Sequence, residues 1–411
     1  MRTYIFLILA LTAVILVFAA TPSTWAADTL TILYSFQGGS DGAEPWSGLI
    51  SDPAGNLYGT AAGWGAGTNG VVFELSRTSS GAWSETVLYA FAGGSDGSNP
   101  VGIVFDGKGN LFGLTRLGGD SLCSCGTVFE LSPNSAGGWT EQVLYRFSLN
   151  TPSNPLNSPT LDSAGNLFVV TANGGAGGRG AVFELSPNVN GGWTGRTIYS
   201  FSKTSGLSSW GPVTLDSAGS LYGTTQNEGG PDGLGKGSVY KLSKVAWGWN
   251  FTLLYTFRGP RGAYPVGNVV FDSSGNLYGT TSEGGAANSG TVFRLSPTTQ
   301  GQWKETLLHD FTGGSDGAIP WAGPTVDSAG NVYGVTTGSA TAPSTVFMLS
   351  PSPLGGWKFQ VLADLPNTNG YFGFAPLLID AGGNLYGVSL GAGNSKCEGG
   401  CGFVYELAPS L

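Results

Sequence analysis

One ten-residue stretch recurs seven times and constrains the fold more than any other feature of the chain. Its fifth copy reads Asp-Ser-Ser-Gly-Asn-Leu-Tyr-Gly-Thr-Thr and spans residues 272–281. Successive copies begin 54, 56, 54, 56, 55 and 53 residues apart. This period overrides the two or three domains expected for 411 residues, because repeat units pack on their neighbours and form one body. The first residues of the copies are Asp52, Asp106, Asp162, Asp216, Asp272, Asp327 and Asp380.

Each repeat contains four short, strand-like runs separated by turn residues. In the fifth repeat they are residues 266–272, 276–281, 291–296 and 306–311, and Trp303 precedes the last run. The runs are short and rich in Val, Phe, Tyr and Thr, which favours strands over helices. We therefore predict an all-β chain.

The repeated motif is typical of a hairpin turn between the first two strands. An aspartate side chain accepts hydrogen bonds from backbone N–H groups two residues further on, and Gly adopts a positive φ without steric strain. Asn, replaced by Ser220 in one copy, completes the turn. A ring of seven cation-binding aspartates is the alternative, but turn chemistry alone accounts for the pattern.

The strand count predicts the architecture. Four-stranded units of about 55 residues fit a β-propeller blade better than a β-helix coil. The fourth-strand motif also occurs seven times, but its first copy, Thr31–Phe36, precedes every first strand, and none follows Leu407. We predict a seven-bladed β-propeller with four antiparallel strands per blade, in which Thr31–Phe36 joins the last blade beside Phe403–Leu407 and closes the ring. A six-bladed ring would leave one whole unit unpaired.

Three segments resemble a known repeat family. They are Gly-Asn-Leu-Tyr-Gly-Thr at 55–60, Phe-Ala-Gly-Gly-Ser-Asp-Gly at 91–97 and Gly-Thr-Val-Phe-Glu-Leu-Ser-Pro at 126–133. The repeats are similar to the GloVer tandem repeats of secreted bacterial proteins, which carry varied surface anchors, and the similarity extends from about Leu30 to Pro409. This similarity implies an extracytoplasmic protein, and the family has no established activity that could be transferred to this chain. Because no sorting signal precedes the C-terminus, the expected surface anchor of that family is in question here.

The N-terminus predicts export. Arg2 precedes an apolar run over 4–20, and Thr24-Trp25-Ala26 offers a small-residue cleavage site. We therefore predict a signal peptide over 1–26, followed by one domain over 27–411, in a secreted or periplasmic protein with no integral membrane domain after cleavage. The alternative is an uncleaved membrane anchor, because the apolar run is almost long enough to span a bilayer.

Four cysteines occupy two predicted loops between second and third strands. An even number of cysteines in an exported chain favours disulfides. We expect Cys397 to bond to Cys401, whereas Cys123 and Cys125 are so close in sequence that their bond is expected to be strained or absent. A zinc site of all four cysteines is the alternative, but they belong to separate blades.

Charge argues against two classes of function. Lys and Arg number 17 against 26 Asp and Glu, so the net charge of −9 excludes the basic footprint that nucleic-acid binding needs. The predicted first strands, which line the channel, contain no His, Lys, Arg or Glu, and the sole histidine, His309, lies in an outer strand. An enzyme needs convergent titratable groups, so we expect a non-catalytic protein without a cofactor.

Irregular aromatic residues mark the candidate binding site. In a propeller, the fourth-to-first and second-to-third loops share the face where ligands usually bind. Trp46, Trp210 and Trp321 open first strands on this face, and Tyr371, Phe372 and Phe374 crowd one loop of it. Exposed aromatics stack on sugars or apolar peptides, and the alternative is that they plug the channel. At the tryptophan position the other repeats have Val101, Leu156, Val266 and Leu377.

Three loops on this face share the sequence Gly-Gly-Ser-Asp-Gly. Their aspartates, Asp41, Asp96 and Asp316, are weak candidates for calcium ligands, because a Gly-flanked Asp more commonly forms a turn. We expect a monomeric binding or scaffolding module for a glycan or a protein. The alternatives are a secreted hydrolase or lyase, acting on a polysaccharide or lactone at the same face, and a purely structural envelope protein.

Overall fold

The computed structural model describes residues 30–63, 68–207, 209–366, 375–391, 396–397 and 400–409. Within these ranges the strands form seven small antiparallel sheets in a ring, a seven-bladed β-propeller as predicted. Blade 1 contains β2 (Ile50–Ser51), β3 (Leu57–Ala61), β4 (Val71–Arg77) and β5 (Trp83–Ala90). Blade 2 contains β6 (Ser98–Phe105), β7 (Leu111–Leu117), β8 (Thr127–Pro133) and β9 (Trp139–Arg146). Blade 3 contains β10 (Ser153–Pro155), β11 (Thr160–Leu161), β12 (Leu167–Asn173), β13 (Ala181–Pro187) and β14 (Trp193–Ser200).

The remaining blades repeat this plan. Blade 4 contains β15 (Thr214–Leu215), β16 (Leu221–Thr225), β17 (Ser238–Val245) and β18 (Gly248–Thr256). Blade 5 contains β19 (Val270–Phe271), β20 (Leu277–Thr281), β21 (Thr291–Pro297) and β22 (Trp303–Asp310). Blade 6 contains β23 (Thr325–Val326), β24 (Val332–Val335), β25 (Thr345–Pro351) and β26 (Trp357–Asp364). Blade 7 contains β27 (Leu378–Ile379), β28 (Leu385–Ser389), β29 (Phe403–Leu407) and β1 (Leu30–Ser35).

The ring closes through β1, which pairs antiparallel with β29. The predicted closing strand was Thr31–Phe36, so the strand begins and ends one residue earlier. Phe36 lies just beyond the assigned strand but still donates its N–H to the carbonyl of Gly402, the residue before β29, and its ring packs edge-on against Phe73 of blade 1, with centroids 5.1 Å apart. Leu33 lies in a bulge opposite β29 and is buried. The seam therefore combines a β ladder with a core shared by two blades.

The repeated aspartate motif forms the predicted turn. Asp272 accepts the backbone N–H groups of Ser274 and Asn276 on Oδ1, both at 2.9 Å. Its Oδ2 accepts the side-chain amide of Asn276 at 2.7 Å and the hydroxyl of Tyr278 at 3.0 Å. Gly275 takes a φ of +80° between them, which a residue with a side chain rarely adopts. Turn chemistry therefore explains the motif.

The first strands are shorter than the sequence predicted. In blade 5 the strand is only Val270–Phe271, instead of 266–272, and blades 1, 4, 6 and 7 also have two-residue first strands. In blade 5 the residues before this short strand lie against blade 6. A Cβ on Gly267 of blade 5 would be only 2.0 Å from the backbone nitrogen of Gly323 of blade 6. Close packing of adjacent blades replaces the ladder at this level of the channel.

Two faces of the ring follow from this topology. We call the upper face the one formed by the fourth-to-first and second-to-third loops, and the lower face the one formed by the aspartate turns and the third-to-fourth turns. The core lies between the blades, in clusters that each join side chains of adjacent sheets. None of the described residues forms a helix that is long and apolar enough to cross a membrane.

Candidate functional site

The three irregular tryptophans meet other blades across the channel. The rings of Trp210 in blade 4 and Trp321 in blade 6 are perpendicular, with centroids 5.9 Å apart. Trp46 in blade 1 donates its indole N–H to the carbonyl of Leu156 in blade 3 at 3.3 Å. Each contact skips the intervening blade, so these side chains converge near the axis of the ring. All three are partly buried, and together they narrow the upper end of the channel.

Trp321 also lines a cleft beside this opening. The cleft has a volume of about 360 Å³ and lies between blades 4, 5 and 6. We call it the mouth cleft, and its lining combines aromatic and apolar side chains with amides, a hydroxyl and a carboxylate. The lining residues are Gln226, Asn227, Tyr264, Ser282, Glu283, Ile319 and Trp321.

A repeated backbone device holds two of these residues at the mouth. Tyr264 and Ile319 precede prolines and have φ of +57° and +58°, in the left-handed region that non-glycine residues rarely occupy. The N–H of Tyr264 donates to the carbonyl of Lys236, and that of Ile319 to the carbonyl of Ser289, both at 2.8 Å. Each bond reaches the second-to-third loop of the preceding blade. The equivalent residues of blades 1, 2 and 3, each with a φ of +55°, are Glu44, Asn99 and Asn154.

Sequence reasoning missed several charged residues around the upper opening, because it looked for catalytic groups only in the first strands and for metal ligands only in the Gly-Gly-Ser-Asp-Gly loops. Burial raises the pKa of Glu44, which occupies in blade 1 the position of Tyr264 in blade 5, to about 7. Burial lowers the pKa of Arg116, which lies near the end of β7. The backbone carbonyl of Arg116 accepts a hydrogen bond from the side-chain amide of Asn154 at 3.2 Å. Glu283 contributes a carboxylate to the mouth cleft. The recurring residue before proline was the sequence signal for Glu44, Asn154 and Tyr264.

The other part of the predicted aromatic site concerns the loop before the first strand of blade 7. Tyr371, Phe372 and Phe374 lie outside the described residues. The equivalence drawn between Leu377 and the tryptophans is wrong, because Trp321 lies six residues before its turn aspartate and Leu377 only three. Leu377 is buried in the core between blades 6 and 7.

The three weak calcium candidates each close their own loop in a different blade. Asp41 accepts the N–H of Gln37 at 2.7 Å and the hydroxyl of Tyr34 at 3.0 Å. Asp96 accepts the corresponding bonds in blade 2. In blade 6 the partner of Asp316 is His309, which replaces the tyrosine and lies at the outer strand as predicted. Among the described residues, no three acidic, Cys or His side chains are grouped to hold a metal ion.

Both cysteine pairs are joined within their own loops. Cys397 and Cys401 have Cα atoms 5.0 Å apart and form one disulfide, and Cys123 and Cys125, with Cα atoms 5.2 Å apart, form the other. The first sulfur pair packs directly on Gly38, where a Cβ would lie 2.6 Å from the sulfur of Cys397. The disulfide of Cys397 therefore braces the seam where the ring closes.

A larger cleft on the lower face offers less to a ligand. It has a volume of about 630 Å³ and lies between the aspartate turns of blades 1 and 7. Its carboxylates, Asp52 and Asp380, already accept hydrogen bonds within their own turns. Arg77 lies 3.6 Å from Glu406 across the seam. The polar groups of this cleft therefore serve the ring itself.

The comparisons with known proteins concern family and fold. The profile of the Gloeobacter/Verrucomicrobia repeat matches residues 16–140 and 123–348. No curated protein resembles the chain significantly in sequence.

Two solved structures share the fold. Virginiamycin B lyase from Staphylococcus aureus is similar with a TM-score of 0.56 and 13% identity, over 92% of this chain and 99% of the lyase. The extracellular domain of a proposed one-component system from B. thetaiotaomicron has a TM-score of 0.56 and 9% identity, over 92% of this chain and 40% of that longer chain. At these identities the likeness is one of fold alone.

Proposed function

The chain belongs to the Gloeobacter/Verrucomicrobia repeat family, and we propose that it is a non-catalytic module that binds a glycan at the mouth cleft. The observation that carries this proposal is the lining of that cleft. Trp321 and Tyr264 lie there beside Gln226, Asn227 and Glu283.

This combination matches the chemistry of a sugar. A pyranose ring has apolar C–H faces that pack on an aromatic ring, and hydroxyl groups that both donate and accept hydrogen bonds. The amides of Gln226 and Asn227 offer donors and acceptors, and the carboxylate of Glu283 accepts, whereas the hydroxyl of Ser282 already donates to the carbonyl of Tyr264 at 2.9 Å and can only accept. An apolar peptide side chain would cover the amides of Gln226 and Asn227 without replacing the hydrogen bonds that water makes to them, which is unfavourable. A glycan is therefore the better match.

The size and rigidity of the cleft support the same ligand. Its volume of about 360 Å³ is at the lower end of the range for small-molecule sites, which begins at about 300 Å³. One or two sugar residues fill such a space. The left-handed backbone at Tyr264 and Ile319 is held by hydrogen bonds to the preceding blade. Because these residues are already ordered, little conformational entropy is lost on binding.

A binding screen tests the proposal. The purified protein is presented with neutral and acidic oligosaccharides and with apolar peptides, and each hit is measured by isothermal titration calorimetry. We expect saturable binding of at least one oligosaccharide and none of the peptides. Binding of peptides alone would contradict the proposal, and so would a protein that binds no ligand of either class and serves only as structure.

One observation favours a second candidate, an acid–base enzyme acting on a polysaccharide or lactone. Burial raises the pKa of Glu44 to about 7, where a carboxyl group is an efficient general acid or base at neutral pH. Turnover of an oligosaccharide identified in the screen, lost in Glu44→Gln while binding persists, would support this candidate. Binding without turnover in the parent protein would remove it.

We propose that this binding takes place outside the cytoplasm, by a monomer. Support comes from the two cysteine pairs, which are typical of an oxidising compartment. The signal peptide predicted over 1–26 lies outside the described residues. N-terminal sequencing and the sedimentation behaviour of the exported protein test the cleavage and the oligomeric state.

A further inference from the structure

A second cleft lies on the upper face, next to the mouth cleft and nearer the rim. We call it the outer cleft; it has a volume of about 560 Å³ and lies between blades 4 and 5. Arg258 follows the outermost strand of blade 4, and Asp310 ends the outermost strand of blade 5. The lining residues are Lys236, Arg258, Gly259, Pro260, Gly284, Gly285, Ala286, Asn288 and Asp310.

The two clefts share one wall. Glu283 lines the mouth cleft and the next residue, Gly284, lines the outer cleft. Lys236 lines the outer cleft, and its carbonyl accepts the N–H of Tyr264, which lines the mouth cleft. An extended ligand seated at the mouth therefore has a path over this wall toward the rim.

Glycine residues line that path. Gly259, Gly284 and Gly285 have φ of +111°, +83° and +78°. A Cβ on Gly284 would lie 2.5 Å from the carbonyl oxygen of Gly259, and one on Gly285 would lie 2.0 Å from a carboxylate oxygen of Asp310. Side chains are thus sterically excluded at these two positions, so the wall here is bare backbone beside the open space of the outer cleft.

A positive charge overhangs the same wall. The Nζ of Lys236 lies 3.5 Å from the position that a Cβ of Gly259 would occupy, and no ion pair joins Lys236 to an acidic side chain within the described ranges. Arg258 lies beside it and pairs with Asp232 at 3.0 Å, where both side chains are about half exposed. Asp310 accepts the N–H of Ala286 at 2.9 Å and is held in the wall. Lys236 is therefore the cation available to a ligand.

We propose that the outer cleft is an anionic subsite, and that the ligand of the mouth cleft is an extended glycan bearing carboxylate or sulfate groups. This inference rests on the proposed function, because the glycan is seated first at Trp321. Lys236 supplies a mobile point charge, and Arg258 adds further donors at the rim. A negatively charged sugar two or three residues from the mouth meets these groups, whereas a neutral chain gains nothing from them.

The experiment compares three tetrasaccharides by calorimetry: an oligogalacturonide, a sulfated galactan and a neutral galactan. At low salt we expect both acidic ligands to bind about tenfold more tightly than the neutral one, with a ratio that falls as salt screens the charges. In Lys236→Glu, the affinity for the acidic ligands should fall by about tenfold while that for the neutral ligand is unchanged. The matched control is Lys358→Glu, an exposed lysine at the lower-face end of β26, which should leave all affinities unchanged.

The outcomes separate this inference from the proposed function. If the neutral tetrasaccharide binds as tightly as the acidic ones, and Lys236→Glu behaves like Lys358→Glu, the anionic subsite is wrong while glycan binding stands. If none of the three ligands binds the parent protein, the inference fails together with the proposed glycan site. Tighter binding of the galacturonide or of the sulfated galactan identifies which acidic group the subsite prefers, and either supports the proposal.

Discussion

The lower and upper faces of the ring are built from the same seven blades but differ in how far they repeat. On the lower face the aspartate turns recur with the same hydrogen bonds, as in Asp52 and Asp272. On the upper face, the equivalent positions before proline carry Glu44, Tyr264 and Ile319, which differ in charge, shape and polarity. Repetition therefore accompanies the residues that build the ring, and variation marks those available for binding.

The carboxyl groups of the two faces show the same contrast. Burial alone would raise the pKa of Asp272, but hydrogen bonds from Asn276 and Tyr278 outweigh burial and lower it. Glu44 is also partly buried but accepts no such hydrogen bonds from the residues that the structure describes, and burial raises its pKa to about 7. A carboxylate surrounded by its own donors is committed to the fold, whereas one without them is poised to exchange a proton.

The largest expected effect comes from the lower face. Asp272→Ala removes the acceptor of four hydrogen bonds and should lower the free energy of unfolding by about 2–3 kcal/mol. Glycan affinity should not change, because the turn faces away from the mouth. Chemical denaturation measures the loss, with Asp364→Ala, an exposed residue at the end of β26, as the control. Equal losses of unfolding free energy in both variants would show that the hydrogen bonds of the turn contribute no more than an ordinary surface residue.

The next effect comes from the upper face and should separate binding from stability. Trp321→Ala should weaken glycan binding by about 2 kcal/mol, the loss typical of an aromatic hot spot. Trp247→Ala is the matched control, because Trp247 is 99% exposed on a third-to-fourth turn of the lower face. Calorimetry measures both variants. Unchanged affinity in a folded Trp46→Ala/Trp321→Ala double variant would identify these residues as a plug.

A smaller effect on stability is expected from removing the disulfide between Cys397 and Cys401 on the upper face. The double variant Cys397→Ser/Cys401→Ser should lower the free energy of unfolding by about 1–2 kcal/mol, because it frees the loop that packs on Gly38 at the seam. Cys123→Ser/Cys125→Ser should lose less, since it opens a shorter loop. Peptide mapping without reductant comes first. Free thiols at Cys397 and Cys401, or bonds to the other pair, would contradict the pairing.

The smallest effect is a dependence of folding stability on pH, and it has opposite signs for Glu44 on the upper face and Asp272 on the lower face. Burial raises the pKa of Glu44 from 4.5 to about 7, so the folded state holds this proton more tightly than the unfolded state. The stability that Glu44 contributes is present at low pH and is lost as the pH rises from 4.5 through about 7. The lowered pKa of Asp272 has the reverse effect, and its contribution is lost in acid.

A single substitution isolates the first of these contributions. Glu44→Gln should melt at a higher temperature than the parent above about pH 7, and at the same temperature below about pH 4. Differential scanning fluorimetry across this range measures the difference. A variant that is equally stabilised at both ends of the range would show that packing, and not ionisation of Glu44, is responsible.

Much of the ring could be predicted, because its signals are local. The turn around Asp272 depends on residues within six positions of it, and the unmatched motif at Thr31–Phe36 required a partner strand at the end of the chain. The length of the first strands could not be predicted. The contact between Gly267 and Gly323 belongs to two blades, and no pattern within one repeat reports it.

By itself, the sequence determined the number of blades, the closing strand and the turn chemistry, because periodicity and short-range hydrogen bonding are written in neighbouring residues. The tertiary structure alone decided which side chains share a site. Trp210 of blade 4 and Trp321 of blade 6 contact each other across the channel, and Trp321 lines the mouth cleft together with Gln226 of blade 4. These groups come from different blades, so only closing the ring brings them to one axis.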